Sequence, residues 1–310
     1  MTEIAPGRRG RRWHIAALLA PALAVYTAFM IIPLVGSLRL ALYASGPEET
    51  QAFVGLDNYA KLFTDPYLAH SFWNALWNNV HFFIIHMLVQ NPMGVLLAAL
   101  ISIPRLRGRT IYRTAIFLPA MLSYVIVGFV WKLILSPTWG ISRSLLHMVG
   151  LGSLFAPWLG KPETALTTVA LISCWQSVGI PMMLIYAALL AIPDELLEAA
   201  ACDGVTGISQ FFKIRLPLIW PTIGIVSVLT FAGNFNAFDL VYVAQGTLAG
   251  PDGSTDILGT FLYRTFFGYE LQLGDPYMGA TIANVMVVII LSGVCLYLFG
   301  IQRRLIYHQM

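Results

Sequence analysis

The stretch EAAACDGVTGISQFFKIRLP, residues 198–217, is a short amphipathic segment that interrupts two long apolar runs. The whole chain is 58% hydrophobic and only 11% charged, with a mean hydropathy of +0.74. A soluble domain carries about a quarter charged residues. The composition therefore predicts a membrane protein. A polar segment between two of its spans indicates a specific role for residues 198–217.

Six apolar segments are long enough to cross a bilayer, which takes about 20 helical residues. They lie near residues 14–42, 72–103, 111–135, 164–192, 217–243 and 278–301. The first run continues from Trp13 to Leu38 without a charge, longer than the about 7–15 residues of a signal peptide. We therefore expect an all-helical membrane protein with six transmembrane helices, the first of them retained.

Lysine and arginine are distributed unequally between the two predicted sides. Twelve fall on one side: Arg8, Arg9, Arg11, Arg12, Arg105, Arg107, Arg109, Arg113, Lys213, Arg215, Arg303 and Arg304. Only four fall on the other: Lys61, Arg143, Lys161 and Arg264. Because the basic side stays in the cytoplasm, we expect a basic cytoplasmic N-terminus over 1–13, a transmembrane domain over 14–310, and both termini inside.

The interrupting segment, residues 193–217, has the pattern of two short helices joined by a turn. Asp194 and Glu195 favour a helix start, and this helix is expected to reach about Cys202. Asp203-Gly204 predicts the turn, and a second helix is expected over residues 207–214, ending before Pro217. The apolar residues of the whole segment are expected to be buried from solvent, either under the protein's own helices or in a groove of a partner protein.

The order Glu198-Ala199-Ala200, then Gly204, Ile214 and Leu216-Pro217 is the EAA motif. The chain thereby resembles the permease subunits of binding-protein-dependent ABC importers. Four further stretches resemble the permeases of maltose and glycerol-phosphate importers: FVGLDNYAKLFTDP, RGRTIYRTAIFLPA, LAIPDELLEAAACDG and FDLVYV. The resemblance implies the type I importer fold.

In that family the EAA segment docks into a cleft of a cytosolic ATPase and couples its closure to the membrane helices. Glu198 would pair with a basic group of the ATPase, and Gly204 would allow the turn. The resemblance assigns ATPase coupling to Glu198, Ala199, Ala200, Asp203, Gly204, Phe211, Phe212, Ile214, Leu216 and Pro217.

The resemblance also implies the partners: a second homologous permease, two ATPase subunits that bind ATP and Mg, and an extracytoplasmic solute-binding protein. The chain itself would bind no cofactor, metal or nucleic acid and would have no catalytic residue. It would lie in the lipid bilayer of a bacterial or archaeal cytoplasmic (inner) membrane and carry a sugar, oligosaccharide or related polyol inward.

Polar residues at membrane depth are candidates for function because they are costly there. Helix five carries Asn234, Asn236 and Asp239, and helix four carries Ser173, Gln176 and Ser177 at a similar depth. Amides and hydroxyls suit a neutral, hydroxyl-rich ligand. The alternative is that the cluster only makes hydrogen bonds between helices. Gly179 and Pro181 should weaken helix four locally.

The resemblance to maltose permeases implies sugar contacts at Ser173, Ser177 and Asn234. The second asparagine of that family is Ala237 here, so the maltose contact set is incomplete.

Other functions fit the sequence less well. His81 and His86 project in different directions on a helix, which favours packing or hydrogen bonding over metal binding. No phosphate-binding loop is present, so the chain cannot hydrolyse ATP alone. An ion-coupled secondary transporter is the alternative, but it needs carboxylates in the membrane, and only Asp239 is available.

Overall fold

The computed structural model describes residues 13–45, 51–103, 106–270 and 272–302. The described chain is mainly helical. The α-helices are α1 (Trp13–Tyr26), α2 (Ile32–Leu40), α3 (Asp57–Thr64), α4 (Pro66–Ile85), α5 (Asn91–Ile101), α6 (Arg109–Phe117), α7 (Tyr124–Ile134), α8 (Ser142–Met148), α9 (Pro162–Ser177), α10 (Gly179–Leu190), α11 (Asp194–Cys202), α12 (Gly207–Gln210), α13 (Leu216–Phe235), α14 (Asp239–Gln245), α15 (Leu258–Phe267) and α16 (Pro276–Leu296).

Two short antiparallel hairpins complete the secondary structure. They pair β1 (Tyr43–Ser45) with β2 (Gln51–Phe53), and β3 (Gly268–Tyr269) with β4 (Gln272–Leu273).

Six membrane spans emerge from these helices. Four are single stretches long and apolar enough to cross a bilayer: Ala17–Leu40, Pro66–Ile101, Gly207–Phe235 and Pro276–Gly300. Two are bent pairs of helices, α6 with α7 and α9 with α10. Counting each bent pair as one span confirms the predicted number. The predicted basic N-terminus up to residue 12, with Arg105, Arg303 and Arg304, lies outside the described residues.

The third span is broken, whereas the sequence predicted one helix over 111–135. Its two halves meet at 95°. A 3₁₀ turn over Leu118–Met121 contains Pro119, which has no N–H to donate, and Ser123 then begins a new helix by accepting the N–H of Val125 at 3.3 Å. The fourth span bends by 43° between α9 and α10, which confirms the weak point expected near Gly179 and Pro181.

The fifth span differs from the prediction at both ends. It stops at Phe235 rather than near 243, and α14 is a separate short helix. At its start the helix continues through Pro217 instead of ending before it. A π turn over Phe211–Arg215 precedes the proline, and in it Leu216 N–H bonds the carbonyl of Phe211, five residues back. This wider turn lets the chain pass the proline without a helix break.

The helices pack around three apolar clusters. One joins α5, α10 and α13 through Ala98, Ile185 and Ile219. Close approach of α5 and α10 requires Gly94, because a Cβ there would lie 3.1 Å from the Pro181 side chain. The fourth and fifth spans are thereby held against the second, and a cavity opens beside them.

Candidate functional site

A cavity of about 220 Å³ lies among the second, fourth and fifth spans. Its walls come from α4 and the π turn His86–Gln90 that follows it, from α9, α10, α13 and α14, and from Tyr124 of α7. Five of the six predicted substrate residues line it: Ser173, Ser177, Asn234, Asn236 and Asp239. The structure therefore brings together residues that are up to 66 positions apart in the sequence.

Gln176 is the predicted substrate residue that does not line this cavity. It is 1% exposed, and its Nε2 donates to the carbonyl of Leu122 at 2.9 Å. Leu122 lies in the break of the third span, where its carbonyl lacks a helical partner. Gln176 thus holds the broken span, and with it the start of α7 at Tyr124, against α9.

Ser173 is oriented by His86. The ring Nδ1 lies 2.8 Å from the carbonyl oxygen of Phe82, and Nε2 lies 3.0 Å from Ser173 Oγ. A carbonyl only accepts, so Nδ1 carries the proton and Nε2 of the neutral ring accepts from the Ser173 hydroxyl. Lone pairs of Ser173 Oγ then remain for a ligand hydroxyl. The hydrogen bonding expected of His86 is confirmed.

Asn234 is fixed by its own helix and is 5% exposed. Its Nδ2 donates to the Thr230 carbonyl at 2.7 Å. The Thr230 hydroxyl shares its one proton between Val226 O at 2.8 Å and Asn91 Oδ1 at 3.2 Å. Within the described residues, nothing donates to Asn234 Oδ1, so this acceptor is free for a ligand. Both alternatives for the cluster therefore have support: it makes hydrogen bonds within the bundle and keeps acceptors open.

The sequence did not predict four further polar residues of the cavity lining: His86, Gln90, Tyr124 and Thr230. His86 and Gln90 frame the π turn that ends α4, and such turns are common at functional sites. Tyr124 depends on the break of the third span. Only the polar character of Thr230, one turn before Asn234, could have pointed to it.

Asp239 is the single charged residue among those that line the cavity. It is exposed and begins α14, just after the fifth span ends. No ion pair involves it within the described part of the chain.

The first helix and the turn of the predicted two-helix segment, residues 193–217, form as expected. α11 ends at Cys202, Val205 N–H bonds the Ala200 carbonyl at 2.8 Å, and Gly204 N–H bonds the Ala201 carbonyl at 3.0 Å. This pair of bonds is a Schellman cap, which needs a left-handed residue. Gly204 supplies it with φ +76°.

Gln210 joins the two helices into one body. Its Nε2 donates to the Leu197 carbonyl at 2.9 Å, and its Oε1 accepts from Arg215 at 3.3 Å. No local sequence pattern predicts that Gln210 and Arg215 have this role. We call residues 193–217 the coupling segment.

The apolar residues of the coupling segment divide into two sets. Ala200 is 7% exposed, and Phe211 and Leu216 pack against the cluster of α5, α10 and α13. By contrast Leu196, Ile208 and Phe212 are 48%, 79% and 61% exposed. The protein covers the first set itself and leaves the second open. Glu198 and Asp203 are also exposed.

The outer segment, residues 246–267, is fixed by a buried ion pair. Arg264 contacts the Asp256 carboxylate at 2.5 Å, and their side chains are 10% and 4% exposed. Burial lowers the pKa of the Arg264 guanidinium, but hydrogen bonding and Coulomb attraction to Asp256 outweigh it, and the net direction is upward. The Arg264 guanidinium therefore stays charged.

Three asparagines of α4 bind the outer segment to the second span. Asn74 donates to the Gly253 carbonyl at 3.1 Å, and Asn78 donates to the Asp256 carbonyl at 2.8 Å. Asn79 accepts from Leu258 N–H at 2.8 Å.

Among the described residues, no group of three or more His, Cys, Asp or Glu side chains could hold a metal ion.

Comparison with known proteins agrees with this architecture. Residues 90–306 match the family described as binding-protein-dependent transport system inner membrane component. The chain is 36% identical to the "Probable ABC transporter permease protein YurN" of Bacillus subtilis, covering 88% of this chain and 91% of that protein. It is 31% identical to the "Lactose transport system permease protein LacF" of Rhizobium radiobacter, covering 88% of each.

A third relative is the "Trehalose/maltose transport system permease protein MalF" of Thermococcus litoralis, which is 28% identical over 91% of each chain. Among solved structures, a bacterial ABC transporter involved in the import of the acidic polysaccharide alginate superposes with a TM-score of 0.75. It is 26% identical and covers 93% of this chain and 96% of the other.

Proposed function

The chain belongs to the family of binding-protein-dependent transport system inner membrane components, and we propose that it forms half of an ATP-driven pathway that imports a sugar, oligosaccharide or related polyol. The ion-coupled secondary transporter is set aside by this membership. The family description names a transport system that depends on a binding protein, and we propose that this protein delivers the substrate.

The observation that carries the substrate proposal is the convergence of five polar residues on one cavity. Ser173 Oγ and Asn234 Oδ1 offer hydrogen-bond acceptors, and Tyr124 and Phe238 offer rings to the same space. Such a mixture suits sugar hydroxyls and C–H faces. The relatives named for trehalose/maltose and lactose favour the same class.

The charge of the cavity favours a neutral ligand. Asp239 is the charged residue in its lining, and no Lys or Arg of the described chain joins it there. A carboxylate of an acidic sugar would be repelled in a site of low dielectric constant. The present cavity therefore suits a neutral sugar better than an acidic polysaccharide of the kind named for the solved relative.

A second, homologous permease would complete the pathway. The cavity, about 220 Å³, is smaller than the about 300–1,000 Å³ typical of ligand sites, which is consistent with a site shared between two subunits. We place the assembly in the cytoplasmic membrane of a bacterium or archaeon.

Transport would be driven through the coupling segment. Two ATPase subunits would bind ATP and Mg, and Leu196, Ile208 and Phe212 would enter a cleft of one of them. Gln210 and the Gly204 cap make the segment move as a body, and the unbroken helix from residue 207 to Phe235 leads from it to Asn234. Closure of the ATPases would thereby turn the cavity outward.

Reconstitution into liposomes tests the proposal. With ATP inside and the solute-binding protein outside, we expect uptake of a neutral oligosaccharide that a protonophore does not reduce. Uptake that follows an ion gradient and needs no ATP would contradict it.

A further inference from the structure

Asn79 is a fully buried residue in the middle of α4, at 0% exposure. One end of its amide accepts from Leu258 N–H at 2.8 Å, and the other end donates to the Asn234 carbonyl at 2.8 Å. These two partners lie 24 residues apart in the sequence. A single side chain of the second span therefore connects the outer segment to a cavity residue.

Both partners of Asn79 are helix-end groups. Leu258 is the first residue of α15, whose early N–H groups lack helical partners. Asn234 is next to last in α13, and its carbonyl otherwise accepts only from backbone N–H groups of the turn after the helix, such as Ala237 N–H at 3.3 Å. One amide thus caps the start of the outer helix and the end of the helix that carries Asn234. The amide serves both ends because its nitrogen donates and its oxygen accepts.

The contacts of the outer segment leave it little freedom to move relative to Asn79. Asp256 and Arg264 fix its interior, and Leu258 follows Asp256 by two residues. On the other side, the Asn234 side chain is held by Thr230 of the same helix. A shift of the outer helix is therefore passed through this buried amide to the backbone of Asn234, in addition to the direct contact of Tyr263 with Phe238, whose ring centroids lie 5.1 Å apart.

We propose that Asn79 is a positioning residue that couples docking of the solute-binding protein on the outer segment to the geometry of the substrate cavity at Asn234. This inference rests on the proposed importer function. It assigns to Asn79 no contact with substrate, since Asn79 does not line the cavity.

The chain offers two matched controls. Asn74 and Asn78 lie on the same helix and donate to carbonyls of the same outer segment, Gly253 and Asp256. Neither contacts Asn234 through a hydrogen bond. If the asparagines only secure the loop, substitutions at the three positions should act alike.

The test uses the assembled complex in lipid nanodiscs. Asn79→Asp keeps the acceptor for Leu258 N–H and loses the donor to Asn234, and Asn78→Asp loses its donor to Asp256 in the same chemical way. The readout is the stimulation ratio, which is the rate of ATP hydrolysis with the solute-binding protein divided by the rate without it. The solute-binding protein is the one that is isolated together with the complex. Hydrogen exchange of peptides covering 230–238 and 256–262 is measured in parallel.

We expect Asn79→Asp to lower the stimulation ratio about fivefold, the effect of one buried hydrogen bond, and to speed exchange at 230–238 but not at 256–262. Asn78→Asp should keep the ratio within about twofold of wild type. Should Asn79→Asp fail to assemble, Asn79→Ser is used, because its shorter side chain can reach only one of the two partners, and the same loss is expected.

Equal stimulation in Asn79→Asp and wild type would overturn the inference, as would an equal loss in Asn78→Asp. A wild-type complex whose ATP hydrolysis ignores the solute-binding protein would instead contradict the importer function itself, and the inference with it.

Discussion

The coupling segment and the outer segment flank the same helix, α13, and they are built in opposite ways. The coupling segment is held by bonds within itself, from the Gly204 cap to Gln210, and leaves large apolar side chains exposed. The outer segment is held by a buried ion pair and by asparagines of α4 about 180 residues away. The first leaves an apolar face exposed to solvent, and the second is tied to the second span by side chains of α4.

This difference explains what the sequence could predict. A segment stabilised by neighbours in the chain has its signals in order: acidic residues at the start, Asp203-Gly204 at the turn, and alternating apolar residues. The sequence therefore predicted α11 and its cap correctly. The asparagines of α4 show no such signal, because their partners are backbone groups of a distant loop.

The residues of the cavity could be predicted from the sequence only in part. Polarity at membrane depth selected Ser173, Ser177 and Asn234, which do share a cavity. Polarity and depth do not separate Gln176 from these three residues. Gln176 and Ser177 lie at the same depth, and only the direction in which each side chain projects decides which of them lines the cavity. The break of the third span, which brings Tyr124 to the cavity, lies at Pro119. The run around this proline is strongly apolar, and its pattern therefore predicts one continuous helix.

Loss of the buried cation should give the largest effect. Arg264→Met leaves the Asp256 carboxylate buried without a partner, and we expect about 3–5 kcal/mol less stability. Thermal unfolding of the purified complex measures it, with Arg264→Lys as the control that keeps the charge and loses less. A loss below about 1 kcal/mol in Arg264→Met would mean that the outer segment is not fixed by the ion pair.

A charge on the open face of the coupling segment should come next. Phe212→Asp places a carboxylate where we expect the cleft of the ATPase, and uptake should fall about 100-fold, equivalent to about 2.7 kcal/mol. Membrane insertion should be unchanged. Phe212→Leu is the matched control and should retain most uptake. If both variants transport equally, this face is not the docking surface.

Removal of a cavity acceptor should have a smaller effect. Asn234→Ala removes the free Oδ1, and we expect KM for uptake to rise about tenfold, as for one lost hydrogen bond, while the ATPase subunits remain bound. Gln176→Leu, a buried change outside the cavity lining, should lower stability with little change in KM. An unchanged KM in Asn234→Ala would remove this residue from the site.

The smallest expected effect is that of an alanine in place of Gly204 at the turn. Gly204→Ala has room for its Cβ, since nothing lies within 4 Å of it, but φ +76° costs a non-glycine residue about 1–2 kcal/mol. We expect uptake to fall several-fold through weaker coupling, and Gly204→Trp, which adds bulk at the docking face, to uncouple transport with insertion intact. Uptake and ATP hydrolysis measured together separate coupling from activity, and normal uptake by Gly204→Trp would show that the turn does not meet the ATPase.

The most direct test of the importer function is the composition of the native complex. The tagged chain is purified from its native membrane in mild detergent, and the proteins that accompany it are identified by mass spectrometry. We expect an ATPase, a second permease and a solute-binding protein, with the ATPase lost from Phe212→Asp. A chain that purifies alone, under conditions that preserve other ABC complexes, would contradict the proposed function.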